Sequence, residues 1–283
     1  MSGLSPTELK FEEYIENKLL NLGYSSLSKS NSKALYENYD RANCLHISQL
    51  IEFIKNSQPD AWDNLSEIHG ASVEEKVIKR VSEEITKRGL VDVLRGEVID
   101  RGVKIKLFYP KPKSALNPEA QELYNKNQFA VMRQLRYAVK EEDKNNSIDM
   151  GLFVNGIPLI TIELKNQLTG QNIENSENQY RYDRNPQEPL LKFKRCLAHF
   201  CIDNNKASMT TKLSGPKTKF LPFNKGIENP EVENDYRVEY MWNEIFTPDN
   251  LSDIISNFVF VSEEEELEYN NKTEKVEKKT QES

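Results

Sequence analysis

Residues 147–165 read Ser-Ile-Asp-Met-Gly-Leu-Phe-Val-Asn-Gly-Ile-Pro-Leu-Ile-Thr-Ile-Glu-Leu-Lys. Two apolar runs flank Asn155-Gly156, a two-residue turn signal, so the segment reads as a β-hairpin. Into these apolar strands the sequence inserts Asp149, Glu163 and Lys165. Alternate residues of a strand share a face, which places Glu163 and Lys165 on one side, about 7 Å apart. Charges on so apolar a strand are costly unless paired, metal-bound or solvated. Two carboxylates about 4 Å apart repel by roughly 4 kcal/mol at an effective dielectric of 20, and a divalent cation removes that penalty. A lysine beside them can hold an attacking water or a phosphate oxygen. Such a set suits magnesium-dependent phosphodiester chemistry.

The register sets a condition on this reading. With a strict two-residue turn and a regular ladder, Val154 pairs with Ile157 and Asp149 stands across from Ile162. Asp149 and Glu163 would then occupy opposite faces, because a one-residue slip turns every side chain over. A shared site requires a longer loop or a bulge between Asp149 and the turn. Gly151 is where that bulge is expected, since glycine tolerates the backbone angles.

The bulk properties bound the rest. The chain has 283 residues, 37% hydrophobic and 29% charged, enough for one large domain or two small ones. No apolar run approaches the roughly 20 residues that span a bilayer. Met-Ser-Gly-Leu-Ser-Pro-Thr-Glu lacks the basic and apolar regions of a signal peptide. Cys44, Cys196 and Cys201 make no disulfide framework. A soluble, cytoplasmic protein is expected. The net charge of −7 is unevenly distributed. Residues 184–225 hold nine Lys or Arg against Glu188 and Asp203, whereas residues 263–283 hold eight Glu against four Lys. The basic stretch reads as a solvated face or a phosphate-binding one.

Along the chain, residues 7–22 carry helical spacing and stop at Gly23. Residues 30–90 read as several helices, the last ended by Gly89. Residues 91–109 alternate like strands closed by Pro110 and Pro112. Residues 128–139 read as a strand or short helix, and 171–182 as a helix ending before Pro186. Residues 195–203 and 207–213 read as strands around an Asp-Asn-Asn turn. A last amphipathic helix runs to Phe260 with Thr247 as N-cap and Pro248 in its first turn. Residues 261–283 form an acidic tail too polar to bury a core, expected as linker or disorder. The described units amount to one domain over residues 1–260, its core at about 90–250.

Asn178, Gln179, Tyr182 and Arg184 offer groups able to touch a DNA backbone, or simply a solvated helical face. Cys196, His199 and Cys201 lack a fourth ligand and zinc spacing, so core packing is the better account. His46 and His69 have no nucleophile nearby and read as structural. No phosphate-cradling Gly-x-x-x-x-Gly-Lys-Ser/Thr loop occurs.

Taken together, Asp149, Ile162-Glu163-Leu164-Lys165-Asn166 and Asn178-Gln179-Tyr180-Arg181-Tyr182-Asp183-Arg184 resemble the N-terminal endonuclease domain of type I restriction enzyme R (HsdR) subunits. Lys194-Arg195-Cys196-Leu197-Ala198-His199-Phe200, Met209-Thr210-Thr211-Lys212-Leu213 and residues 218–226 extend the resemblance, as does Phe11-Glu12-Glu13-Tyr14-Ile15-Glu16 near the start. It runs from about residue 7 to about 260. The resemblance implies an α/β fold: a PD-(D/E)xK restriction-endonuclease-like core with a mixed sheet, flanking helices and an N-terminal helical region. It implies Asp149 and Glu163 as ligands of Mg²⁺ (or Mn²⁺), the main-chain carbonyl of Leu164 as a further ligand, and Lys165 as the catalytic lysine. Its Gln-x-x-x-Tyr motif matches at Tyr182, while either Asn178 or Gln179 supplies the amide. Glu16 is the candidate accessory acid.

The same resemblance implies double-stranded DNA as substrate and the modification and specificity subunits of a restriction complex as partners. ATP would enter only through helicase-like motor domains, whose motifs this sequence does not contain. A stand-alone DNA-processing nuclease of the same superfamily, and a catalytically silent DNA-binding or assembly module, are the alternative readings.

Overall fold

The computed structural model describes residues 6–28, 38–114, 116–167, 170–261, 263–270 and 275–282. In chain order the elements are α1 (Pro6–Asn21), β1 (Ser25–Ser26), β2 (Tyr39–Asp40), β3 (Leu45–His46), α2 (Ile47–Ser57), α3 (Pro59–His69), α4 (Val73–Arg88) and α5 (Leu90–Arg95). They continue as β4 (Val98–Asp100), β5 (Val103–Ile105), α6 (Pro118–Asn125), β6 (Phe129–Arg136), β7 (Ser147–Val154), β8 (Ile157–Leu164) and α7 (Ile173–Asn178). The last are β9 (Ala198–Ile202), β10 (Ala207–Thr210), β11 (Leu221–Pro222), α8 (Pro248–Asp253), β12 (Glu263–Asn270) and β13 (Lys275–Glu282).

A mixed seven-stranded sheet of order β1-β6-β7-β8-β9-β10-β11 organises these elements. The β1–β6 and β8–β9 pairs are parallel and the others antiparallel. The larger apolar layer joins Phe11, Ile15 and Leu19 of α1, Leu50 and Ile54 of α2 and Val77, Val81 and Ile85 of α4 to Met150, Leu152, Ile160 and Ile162. The spacing of four along α1 and α4 is what turns these residues onto one helical face. A smaller layer joins Ala130, Met132, Ile148 and Phe153 to Tyr180, Leu190 and Cys201. The architecture is the mixed α/β, restriction-endonuclease-like fold that the sequence implies.

The turn of the β7–β8 hairpin is as tight as expected. Asn155 and Gly156 both have positive φ, 51° and 79°, the conformation that two-residue hairpins require. The buried Asn155 side chain accepts from Gln128 N at 2.7 Å and donates to Leu107 O at 2.9 Å. Gly156 N donates to Gln49 Oε1, and Gly156 O accepts from His46 N, so α2 is fastened on top of the turn.

The irregularity needed to unite the acids is present, on the strand opposite to the one expected. Val154 pairs with Ile157 and Phe153 with Pro158, but Leu152 pairs with Ile160, so Leu159 is the extra residue. Pro158 has no N–H to give to the ladder, which favours a bulge beside it. Gly151 pairs regularly with Thr161. Its missing side chain serves packing instead: a Cβ would stand 2.7 Å from Leu135 Cδ2 and 3.0 Å from Phe153 Cε2.

One other expectation is corrected. Residues 90–95 form a helix, not a strand: Leu90, Val93 and Leu94 are all buried on one face, and helical spacing outweighs the β-branched valines. The strands there are confined to β4 and β5, joined by Arg101-Gly102 with φ of 49° and 91°. Within the acidic stretch, β12 pairs antiparallel with β13. Two strands alone are marginal in water. Thr247 caps α8 as expected, its hydroxyl accepting from Asn250 N, and one π-helical turn carries the segment on to Phe258. No helix among the described residues is long and apolar enough to cross a membrane.

Candidate active site

The bulge decides where the acids point. Met150 pairs with Ile162, and continuing that register sets Asp149 across from Glu163. On the other side Arg133 pairs with Met150 and Leu135 with Ile148, which puts Gln134 across from Asp149. Glu163 is in turn paired with Cys201. Gln134, Asp149 and Glu163 thus form one row across three adjacent strands, at the rim of the smaller apolar layer.

Each acid is fixed through one oxygen. Leu164 N donates to Asp149 Oδ2 at 2.8 Å. Arg184 Nε donates to Glu163 Oε1 at 2.7 Å, while Glu163 Oε2 is buried with no hydrogen-bond partner among the described residues. Glu163 is wholly buried. Burial, and then the negative charge of Asp149, push its carboxyl up to about 8 from an ordinary 4.5, against the pull of Arg184. Arg184 is held cationic: burial opposes its charge, and Glu163 more than offsets that opposition.

Helix α1 brings a third acid. Glu12 is 1% exposed, its Oε1 accepts from Gln134 Nε2 at 2.8 Å, and its Oε2 is buried with no hydrogen-bond partner among the described residues. Burial, followed by Asp149, pushes this carboxyl to about 8 as well. Gln134 Nε2 also lies 3.5 Å from Asp149 Oδ1. Lys165 follows β8, is 7% exposed, and has its Nζ 3.8 Å from Glu8 Oε1.

The sequence-derived candidates therefore separate. Asp149 and Glu163 come together at the end of β7 and β8, whereas Lys165, two residues on, has its Nζ at Glu8 of α1. Glu16, expected as the accessory acid, is engaged elsewhere: its Oε2 pairs with Arg133 Nε at 2.7 Å and its Oε1 accepts from Ser26 Oγ at 2.6 Å. The acid of α1 that faces Asp149 is Glu12, one helical turn earlier. Asn178 is exposed at the end of α7, whereas Gln179 is half-buried with a buried, unpartnered Oε1. Tyr182 is 67% exposed and lines a cleft of about 420 Å³ together with Tyr137, Asn146 and Arg184. Arg184 reaches from that cleft inward to Glu163. In the same segment Tyr180 is the buried ring, with its OH 2.8 Å from Thr161 Oγ1.

Glu12 and Gln134 escaped the sequence reading, although each left a trace. Glu8, Glu12 and Glu16 recur every four residues beside the Phe11-Ile15-Leu19 stripe, at the edge of what a helix buries. Gln134 interrupts an apolar strand. It also has φ of 52°, a left-handed conformation that no composition rule announces.

The discounted residues are structural. His199 is buried with Nδ1 2.6 Å from Thr161 Oγ1, and burial lowers it to about 3. His69 pairs with Asp100 at 2.7 Å. Cys44, Cys196 and Cys201 are buried free thiols. The basic stretch divides: Arg184 turns inward, Arg195 is buried with its NH2 group donating to Cys44 O, and Lys206, Lys217 and Lys219 are exposed. Among the described residues no three His, Cys, Asp or Glu side chains are grouped to hold a metal. A cation here would rest on a carboxylate pair completed by carbonyl, water or phosphate oxygens. That donor set suits Mg²⁺, which commonly takes one or two carboxylates. The unpartnered Glu163 Oε2 fits the same reading, since a buried carboxylate oxygen left alone is costly.

No curated protein gives a significant match to this chain. The family profile for the type I restriction enzyme R protein N terminus matches residues 5–218, a span that includes α1, the β7–β8 hairpin and every residue of the acid row. The chain belongs to the family of type I restriction enzyme R protein N-terminal regions.

Proposed function

We propose that the chain is the endonuclease portion of a type I restriction enzyme R subunit and hydrolyses DNA phosphodiester bonds with Mg²⁺, or Mn²⁺ in its place. The observation that carries this reading is the meeting of Asp149 and Glu163 across a bulged hairpin. Asp149, Glu163 and the main-chain carbonyl of Leu164 would hold the cation. When bound, it supplies positive charge to a phosphoryl oxygen and acidifies water. Lys165 orients and deprotonates the attacking water and stabilises charge developing on phosphorus. Arg184 and Leu164 N–H fix the two acids from behind, as groups that orient ligating carboxylates do.

Double-stranded DNA is the proposed substrate, met through its backbone at the cleft of Tyr182 and Arg184. Backbone contacts position a protein without specifying sequence. Sequence choice would then rest with the specificity and modification subunits of a cytoplasmic restriction complex. The test is nicking of supercoiled plasmid with Mg²⁺, wild type against Lys165→Ala. Nicking by the wild type alone supports the reading. Equal inertness, together with no cation binding by calorimetry, would move the chain to the class of assembly modules.

A further inference from the structure

We propose that the cavity between α4, the Asn43-Cys44 turn and Phe193 is an anion site that takes a phosphate monoester, with the Arg195 guanidinium as its floor and Lys192 at its mouth. The site lies apart from the acid row, and its occupancy is independent of cleavage. Glu163 pairs with Cys201 and Ile160 with Ala198, so Arg195 lies beyond the other end of β9, on the order of 20 Å of extended chain from the acids.

Arg195 carries a buried charge that no acid answers. It is 6% exposed, and its Nη2 donates to the main-chain oxygens of Asn43 and Cys44. Its Nη1 is buried with no hydrogen-bond partner, and no ion pair joins the guanidinium to an acid, among the described residues. An arginine this deep is ordinarily paired with a negative group. The neighbouring thiols do not supply one, because burial pushes Cys44 up to about 11 and Cys196 up to about 12, which keeps both neutral. Asp40 and Glu188 act on the Cys44 thiol, but Asp40 accepts from the Asn43 amide and Glu188 from Val139 N.

The cavity that Arg195 lines has a volume of about 220 Å³ and is also lined by Ser82, Thr86, Lys192 and Phe193, with no acid among its described lining residues. Small-molecule sites commonly hold roughly 300–1,000 Å³, so this one suits a single anionic group better than a whole nucleotide. Ser82 Oγ and Thr86 Oγ1 now donate to the main-chain oxygens of Asn43 and Ser82, at 3.4 and 2.8 Å, and such hydroxyls can rotate to donate to an anion. Lys192 is exposed whereas Arg195 is sealed in. The mouth thus carries a movable point charge and the floor a fixed planar donor, a pair suited to phosphate. Two cations facing no acid also match a phosphate monoester, with its charge of about −1.5 to −2, better than a carboxylate. Ser82 and Thr86 belong to the C-terminal half of α4, whose dipole disfavours an anion. Binding therefore rests on the two cations.

The test is calorimetric titration of inorganic phosphate into the full chain without divalent metal. Saturable binding of one phosphate per chain is expected. Lys192→Ala should weaken it by about 10-fold or more, the loss of one charged hydrogen bond. Lys206→Ala, which removes an exposed lysine from the β9–β10 turn, should leave it unchanged. Arg195→Lys keeps the charge but not the fork and should weaken binding at least as much as Lys192→Ala. Lys192 is exposed, so its variant tests the site even where the Arg195 variant fails to fold. Short duplexes with and without a 5′-phosphate identify the source. Tighter binding of the phosphorylated duplex, with the gain lost in Lys192→Ala, assigns the group to a strand end. Equal binding of the two duplexes, with inorganic phosphate still bound, assigns it to a free monoester. No phosphate binding by the wild type, or equal affinity in wild type and Lys192→Ala, would overturn the site and leave the Asp149–Glu163 reading intact.

Discussion

The two ends of the β7–β8 hairpin obey different rules. At the turn, Asn155 and Gly156 adopt the conformation their types favour, every contact named there is a satisfied hydrogen bond, and α2 covers the backbone. At the open end, two acids face one another in the interior, Glu163 Oε2 has no hydrogen-bond partner among the described residues, and Glu12 adds a third acid. About seven residues separate the ends. One is built for stability and the other holds unresolved charge in place, which is the local inconsistency expected of a functional site.

The sharpest way to test that contrast is to remove the chemistry without touching the fold. Lys165→Ala and Glu163→Gln should each lower plasmid cleavage by about 10³-fold or more, on the scale of losing a catalytic base or charge stabiliser. Thermal unfolding should stay close to wild type, since Gln at 163 still accepts from Arg184. A cleavage rate unmoved by both changes would remove the open end of the hairpin from the reaction.

The converse change belongs at the turn. A Cβ at Gly156 would stand 2.5 Å from His46 O and 2.7 Å from Leu50 N, both backbone atoms, at a φ of 79°. Gly156→Ala should therefore destabilise the fold by about 2–4 kcal/mol through strain and displaced backbone. Cleavage per folded molecule should be unchanged, as measured by activity normalised to the native fraction at low temperature. Gly151→Ala should cost less, about 1–3 kcal/mol, because the intruding Cβ meets the end of the Leu135 side chain, which can move. Urea titration of the two variants should rank them in that order. A reversed order would mean that the bulged strand pair, not the turn, is the rigid end.

These particulars also show what a sequence can display. The hairpin and its turn were legible because Asn-Gly between β-branched runs is a local signal. The candidate residues Asp149, Glu163 and Lys165 stood out because charge inside apolar strands is anomalous wherever it falls. That the acids needed an irregularity followed from counting residues. Its position at Leu159 did not, because Gly151 offered the backbone freedom while Pro158 imposed the missing donor, and the imposition prevailed. The helix at residues 90–95 was hidden by valines whose burial on one face only tertiary packing reveals. Glu12 was hidden for a related reason: Glu8, Glu12, Glu13 and Glu16 look alike in the sequence. Only the docking angle of α1 selects the one that faces Asp149. The candidate site was thus readable from strand to strand and unreadable across the helix–sheet interface.

The smallest expected effect concerns pH and uses the charge held at the open end. Glu12 and Glu163 both sit near 8 in the folded chain against an ordinary 4.5, so the fold binds protons that the unfolded chain has already released. Their contribution to stability is complete below about 4.5 and is lost as the pH rises through about 8. His46 and His199 act in the opposite sense, since burial lowers them to about 4 and about 3 from 6.5, and their contribution is lost as the pH falls below 6.5. From about 6.5 to 8 both histidines are neutral in the fold and become mostly neutral in the unfolded chain, so the acids set the slope over the upper part of that window. The metal-free chain should lose a few degrees of melting temperature across it, about the shift that 1 kcal/mol produces in a domain of this size. Glu163→Gln should flatten the slope, and saturating Mg²⁺ should reverse it, because a cation favours the deprotonated carboxylates. A metal-free melting temperature that rose across this window would mean that the acids are ionised in the resting fold. Arg184 would then be sufficient compensation for the whole row.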